Sequence, residues 1–202
     1  RLGVGGRAAR KCRFIDGDIE RPFLGIAAKE IVLLEKTVTH VVHCAASVSF
    51  DDTYESSFRA NVLGCKNALE FSLRLQQAKG SRFVLHVAIE TSYVHGRKKR
   101  SMAQENALVF PKNFYNNFYE LTKAMASIET DRDLIEKGLR VAQLLPSIVI
   151  GHSRTGNNRG DTKVVNAPVN AFGRSKEALE KLEASPFGRT KAQAIASVAM
   201  VF

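Results

Sequence analysis

Short apolar runs alternate with helix-spaced apolar positions along most of this chain. Val38–Ala45 (VTHVVHCA), Arg82–Ile89 and Leu139–Leu145 (LRVAQLL) are apolar runs with β-branched residues, and they read as buried strands. Lys11–Ile15 reads as a shorter strand, followed by a turn at Asp16-Gly17-Asp18. Helical patterns lie between the runs. Glu30–Glu35 is a short one. Asp51–Gln77 carries Phe58, Val62, Cys65, Leu69 and Leu73 at helix spacing, and Tyr115–Lys137 is closed by Gly138. Arg97–Lys112 is a polar loop and Pro146–Ala171 is loop-rich, whereas Ser175–Ala184 and Lys191–Phe202 are predicted helices. Strands alternating with helices of this length predict βαβ units and one parallel sheet, an α/β fold with helices on both faces.

In such sheets ligands bind at the carboxyl ends of the strands. Four candidate ends follow. Asp16-Gly17-Asp18-Ile19 offers a carboxylate, and Ala45-Ala46-Ser47 offers small residues that let a planar or phosphorylated ligand approach the backbone. Glu90-Thr91-Ser92-Tyr93 carries hydroxyls, and Pro146-Ser147 gives an apolar edge with a polar handle. Tyr119 and Lys123 stand four residues apart, so a helix puts them on one face, one turn apart. An ammonium there favours the phenolate, which predicts a tyrosine pKa lowered from about 10 towards neutrality, as a general acid–base needs.

Composition narrows the classes. The 202 residues suffice for one core, and 45% hydrophobic with 25% charged residues is an ordinary globular balance. No apolar run approaches the roughly 20 residues of a membrane span. Cys12, Cys44 and Cys65 have no paired spacing and read as reduced core thiols of a cytoplasmic protein, not as a disulfide or metal framework. His43 and His86 read as core or edge histidines bonded to backbone, and no metal-ligand spacing appears. The net charge of +10 invites a polyanion: nucleic acid, a membrane surface or a phosphate-rich small molecule. The sharpest basic cluster, Arg97–Arg100 (RKKR), reads as a solvated loop, so no nucleic-acid partner is expected. The loop-like start without Met and the apolar SVAMVF ending suggest a piece of a longer protein.

Several segments stand in a familiar order. They are GDI (Gly17–Ile19), HCAASVSFD (His43–Asp51), NVLG (Asn61–Gly64), HVAIETSYVHG (His86–Gly96), YELTK (Tyr119–Lys123) and PSIVIGHSRTG (Pro146–Gly156). With them the chain resembles the extended short-chain dehydrogenases/reductases. Within that family it looks most like the fatty acyl-CoA reductases and the thioester-reductase domains of carboxylic acid reductases, with the epimerases and dehydratases as close rivals. The resemblance implies a Rossmann-like, doubly wound parallel sheet lacking its first strand and Gly-rich loop and also its C-terminal part. Residues 1–202 would then be one NAD(P)-binding domain, with 151–202 the start of a substrate-binding portion.

The resemblance also implies roles. Tyr119 would exchange the proton at the substrate oxygen, Lys123 would lower its pKa and bond the nicotinamide ribose, and Thr91 would polarise the carbonyl. Asp18 and Ile19 would flank the adenine, and Ala45, Ala46 and Ser47 would line the sugar and phosphate path. Asn61 would steady the central strands, and Pro146 and Ser147 would border the nicotinamide. The implied activity is NADPH-dependent reduction of an acyl thioester or aldehyde. The alternatives are an NAD-dependent nucleotide-sugar epimerase or dehydratase, or a non-catalytic scaffold. NADP(H) is favoured over NAD(H) because Arg1, Arg7, Arg10 and Lys11 suit a 2′-phosphate. Three departures stand out. GVGG (Gly3, Gly5 and Gly6 among them) has only two residues before it and reads as a flexible loop, so residues 1–202 alone are expected to bind NADP(H) poorly or not at all. Glu90 replaces the usual Ser before Thr91, where it is expected to tie up that hydroxyl or repel an oxyanion, and Leu145 replaces the usual Arg before Pro146.

Overall fold

A computed structural model describes residues 11–97, 102–105, 107, 114–158, 160 and 165–184. The GVGG stretch, Arg1, Arg7, Arg10, most of RKKR and the predicted helix Lys191–Phe202 lie outside the described residues. The chain divides into two compact units, Arg1–Ser147 and Ile148–Phe202.

In the first unit the order is α1 (Ala28–Thr37), β1 (His40–His43), α2 (Tyr54–Phe58), a π-helical turn (Arg59–Leu63), α3 (Gly64–Gln77), β2 (Leu85–Ile89), α4 (Phe118–Lys137) and β3 (Val141–Leu144). The three strands form one parallel sheet in the order β1-β2-β3, with Val41 opposite His86 and His86 opposite Val141. Each strand falls inside its apolar run. Side chains alternate across a strand, so this register puts Val41, His43, His86, Ala88, Val141 and Gln143 on one face. Helices α3 and α4 cover that face: Ser72 bonds His86, Ser127 bonds Gln143, and Val41 and Val141 pack on a core that includes Leu69, Leu75 and Ala126. On the other face Val42 is 59% exposed. Strand β1 is therefore not the fully buried strand its composition predicts.

Lys11–Ile15 is not a strand. Phe14 is 95% exposed, and among the described residues no strand lies beside this segment to pair its backbone. Asp51–Gln77 is not one regular helix either. Thr53 caps α2 by accepting from the Ser56 N–H, and the π-helical turn then separates α2 from α3. Helix α4 begins at Phe118, later than the pattern suggests, because Asn117 is its N-cap and accepts from the Glu120 N–H at 2.9 Å. Gly138 ends it in the left-handed region, φ 62°. Cys65 is buried, but Cys12 and Cys44 are exposed, so two of the three thiols are not core thiols. In the second unit, α5 spans Asn166–Glu183, longer than Ser175–Ala184 at its start.

Candidate active site

Strand β2 ends beside the elements that build the site. The Glu90 N–H donates to the Leu144 carbonyl at 2.8 Å, so the β2–β3 ladder runs one residue past the strand. By alternation Glu90 shares the face of His86 and Ala88 and enters the helical layer. There its Oε2 lies 2.8 Å from Lys123 Nζ, with the two side chains 1% and 5% exposed. Lys123 also donates to the Ile89 carbonyl at 2.8 Å. The partner of Glu90 is thus Lys123, not the Thr91 hydroxyl. Thr91 opens the 3-10 turn Ser92–His95, and its Oγ1 accepts from the Tyr93 N–H at 3.3 Å.

Tyr119 sits one turn before Lys123, with the Thr91 hydroxyl acting on its phenol. Its phenol is held above the ordinary tyrosine range. Burial is the main cause, with the charges of Glu90, Tyr93 and Glu120 adding to it, and the Thr91 hydroxyl pulls the other way without cancelling them. The expected lowering by Lys123 is absent, and the ammonium is paired at short range with Glu90. Burial raises the Glu90 carboxyl in turn, and Lys123 opposes that rise. The Phe50 ring stands 5.6 Å from the Tyr119 ring.

Asn61 holds the β1 end to the helix carrying the pair. It lies in the π-helical turn, where its Oδ1 accepts from the Ser47 N–H at 2.8 Å. Its Nδ2 donates to the Ser47 carbonyl (3.2 Å) and to Thr122 Oγ1 (3.0 Å). Ser47 Oγ donates to Asp52, Ala45 is exposed and Ala46 half-buried. Pro146 accepts from the Ser92 N–H at 3.1 Å, and Ser147 is exposed. A cavity of about 620 Å³ opens beside them, lined in part by Ile89, Ser92, Leu144, Leu145 and Pro146.

Asp18 and Ile19 stand against the start of α3. The Ile19 carbonyl accepts from Asn67 at 2.7 Å, and its side chain covers Gly64, where an added Cβ would come within 2.9 Å of Ile19 Cδ1. Asp18 is exposed and its N–H donates to the Leu24 carbonyl at 2.7 Å.

His43 and His86 line the same buried layer, ring centroids 6.2 Å apart, and burial lowers both pKa values to about 4. Lys123 adds to the shift at His43. His86 Nδ1 pairs with Ser72 Oγ at 2.7 Å, a side-chain partner in place of the expected backbone one. Sequence reasoning missed Glu90 as the counter-ion, Thr122 as a support of Asn61, and Phe50. The parity of β2 was the available signal for Glu90, since an even step from His86 keeps it on the helix-facing side.

The residues present fit a nicotinamide cofactor. Ala45 and Ala46 put only small side chains at the β1 end, and an open cavity adjoins Pro146. An ammonium has three N–H groups. Glu90 and Ile89 take two from Lys123, leaving one among the described residues.

The family described as male sterility protein matches residues 4–184. A hybrid PKS-NRPS synthetase from Acremonium sp is 26% identical over 68% of this chain and 3% of its own length. A fatty acyl-CoA reductase from Drosophila melanogaster is 26% identical over 67% of this chain and 29% of its own length. Among solved structures, the terminal R domain from the myxalamid PKS-NRPS biosynthetic pathway is similar, with TM-score 0.68 and 28% identity. That match covers 85% of this chain and 41% of the R domain chain. The chain thus spans less than half the length of each of these proteins.

Proposed function

The chain belongs to the male sterility protein family of NAD-binding domains, and on that premise we propose that it reduces an acyl thioester of fatty acyl-CoA type, using NADP(H). The observation that carries the reading is the placing of Thr91 at the carboxyl end of β2, with Tyr119 and Lys123 one turn apart on α4 and the Lys123 ammonium bonded to the Ile89 carbonyl. Thr91 and Tyr119 together donate to the substrate carbonyl oxygen. The nicotinamide, when bound, supplies a hydride to the carbonyl carbon. Tyr119 then gives its proton to the oxygen as negative charge develops there. The resulting thiohemiacetal releases a thiol and leaves an aldehyde. Lys123 directs its remaining N–H to the ribose, Asp18 and Ile19 border the adenine, and Ala45, Ala46 and Ser47 line the path between. Asn61 fixes that path to α4, and Pro146 and Ser147 edge the nicotinamide. Residues 151–202 begin the substrate-binding portion.

Two observations favour reduction of an apolar substrate over sugar epimerisation. A phenol that burial holds above its ordinary range suits a proton donor. Phe50 also places an aromatic ring beside Tyr119, with the rings of Tyr54 and Phe118 5.7 Å apart nearby on α2 and α4. The relatives named as reductases support the same choice. The test is NADPH oxidation by the full-length protein with a long-chain acyl-CoA, beside a UDP-sugar control with NAD. Thioester-dependent oxidation is the expected result. Interconversion of the sugar without oxidation would assign the protein to the epimerases, and silence on both would leave a scaffold.

A further inference from the structure

Glu90 has no place in the reaction as derived so far, yet it is among the most buried charges of the first unit. Its side chain is 1% exposed, its Oε2 pairs with Lys123 Nζ at 2.8 Å, and apart from that pairing both of its buried carboxylate oxygens lack a partner. A carboxylate costs several kcal/mol to desolvate, and a partner must repay that cost. Here the partner is the lysine that was expected to act on the phenol. We propose that Glu90 is a positioning residue, which anchors Lys123 at the carboxyl end of β2 and compensates its charge, so that Tyr119 works as a proton donor with Thr91 as its partner. This rests on the reading of Tyr119 as the donor.

The geometry explains the assignment. Lys123 is held twice, by the Ile89 carbonyl and by Glu90, both at the end of one strand. An uncompensated ammonium one turn from a phenol favours the phenolate. With Glu90 paired to it, the field at Tyr119 carries both signs, and the proton stays. The other groups around the pair do not change charge with it in the neutral and mildly alkaline range. Cys65, facing from α3, is pushed up to about 12, and His43, facing from β1, is neutral above about 4. Around the phenol itself stand Tyr93 in the 3-10 turn and Glu120 on α4. Ser, the residue expected before Thr91 from the family resemblance, would leave Lys123 free to act on Tyr119. Glu90 therefore makes this site a stronger proton holder than it would be with Ser at that position.

The experiment is an alkaline titration of tyrosinate absorbance on the full-length protein. The Tyr119 signal is taken as the difference from Tyr119→Phe, and Glu90→Gln and Glu90→Ser are measured in the same way. The expected result is a Tyr119 titration above about 10 in the parent and at least about one pH unit lower in both variants. The alkaline limb of kcat/KM for NADPH oxidation should move by the same interval. A Tyr119 titration unchanged in folded variants would overturn the proposal. Loss of the folded circular-dichroism spectrum in both variants would overturn it too, because the carboxylate would then be a structural member of the core. The titration needs no substrate, so a wrong reductase assignment leaves the shift in place, whereas a wrong role for Glu90 removes it.

Discussion

Tyr119 shows how far one residue can be read from its neighbours in sequence. The Tyr-x-x-x-Lys spacing correctly places both residues one turn apart on one helix. It does not show where the lysine's charge goes, because Glu90 stands 33 positions away from Lys123 along the chain and meets it only when α4 docks on β2. The pKa of Tyr119 moves up instead of down, chiefly through burial, with the Glu90 charge adding to it. Tyr119→Phe in the full-length protein should lower turnover by roughly 10²–10⁴-fold, the usual range for a positioned acid. It should leave NADPH affinity nearly unchanged, since Lys123 keeps both of its anchors. Turnover equal to the parent's would remove Tyr119 from the mechanism.

At the scale of elements, the apolar runs locate β1, β2 and β3 within a few residues, and the Gly138 stop is legible because a left-handed cap favours glycine. The π-helical turn is not legible. Phe58, Val62 and Cys65 continue the helix spacing through it, and its evident use is polar: it presents Asn61 to both Ser47 and Thr122. Asn61→Ala should cost about 2–3 kcal/mol in chemical denaturation, because the side chain is 2% exposed and its loss strands the Ser47 N–H. The loss should be smaller only if water replaces the amide. The failed strand at Lys11–Ile15 teaches the converse lesson, that β-branched or aromatic composition makes a strand only where a neighbour pairs with it.

For the whole molecule, the layer between the sheet and its two helices is more polar than the apolar spacing suggests. Ser57, Ser72, His86, Thr122 and Thr130 are all fully buried there or in the adjoining helices. The sequence places candidate residues at the strand ends but does not show this layer, since burial of a hydroxyl or an imidazole depends on which helix lies over it. One consequence is acid lability. Both His43 and His86 drop from 6.5 to about 4 on folding. Above about pH 6.5 both states are neutral and nothing changes. Below it the unfolded chain takes up protons first, so stability falls until about pH 4. The slope is about 1.4 kcal/mol per pH unit for each ring, or about 2 kcal/mol per ring between pH 6.5 and 5. Denaturant midpoints at pH 7 and pH 5 would measure this, and equal midpoints would show that the rings titrate normally.

The buried Glu90–Lys123 pair also has a history in the life of each molecule. Neither charge can leave water alone without heavy cost, so β2 and α4 cannot be assembled in separate steps. They must close on one another as a single event, and open in the same way. Hydrogen exchange should therefore find the amides of Leu85–Ile89 and the middle of Phe118–Lys137 protected to the same free energy, one cooperative unit inside the sheet.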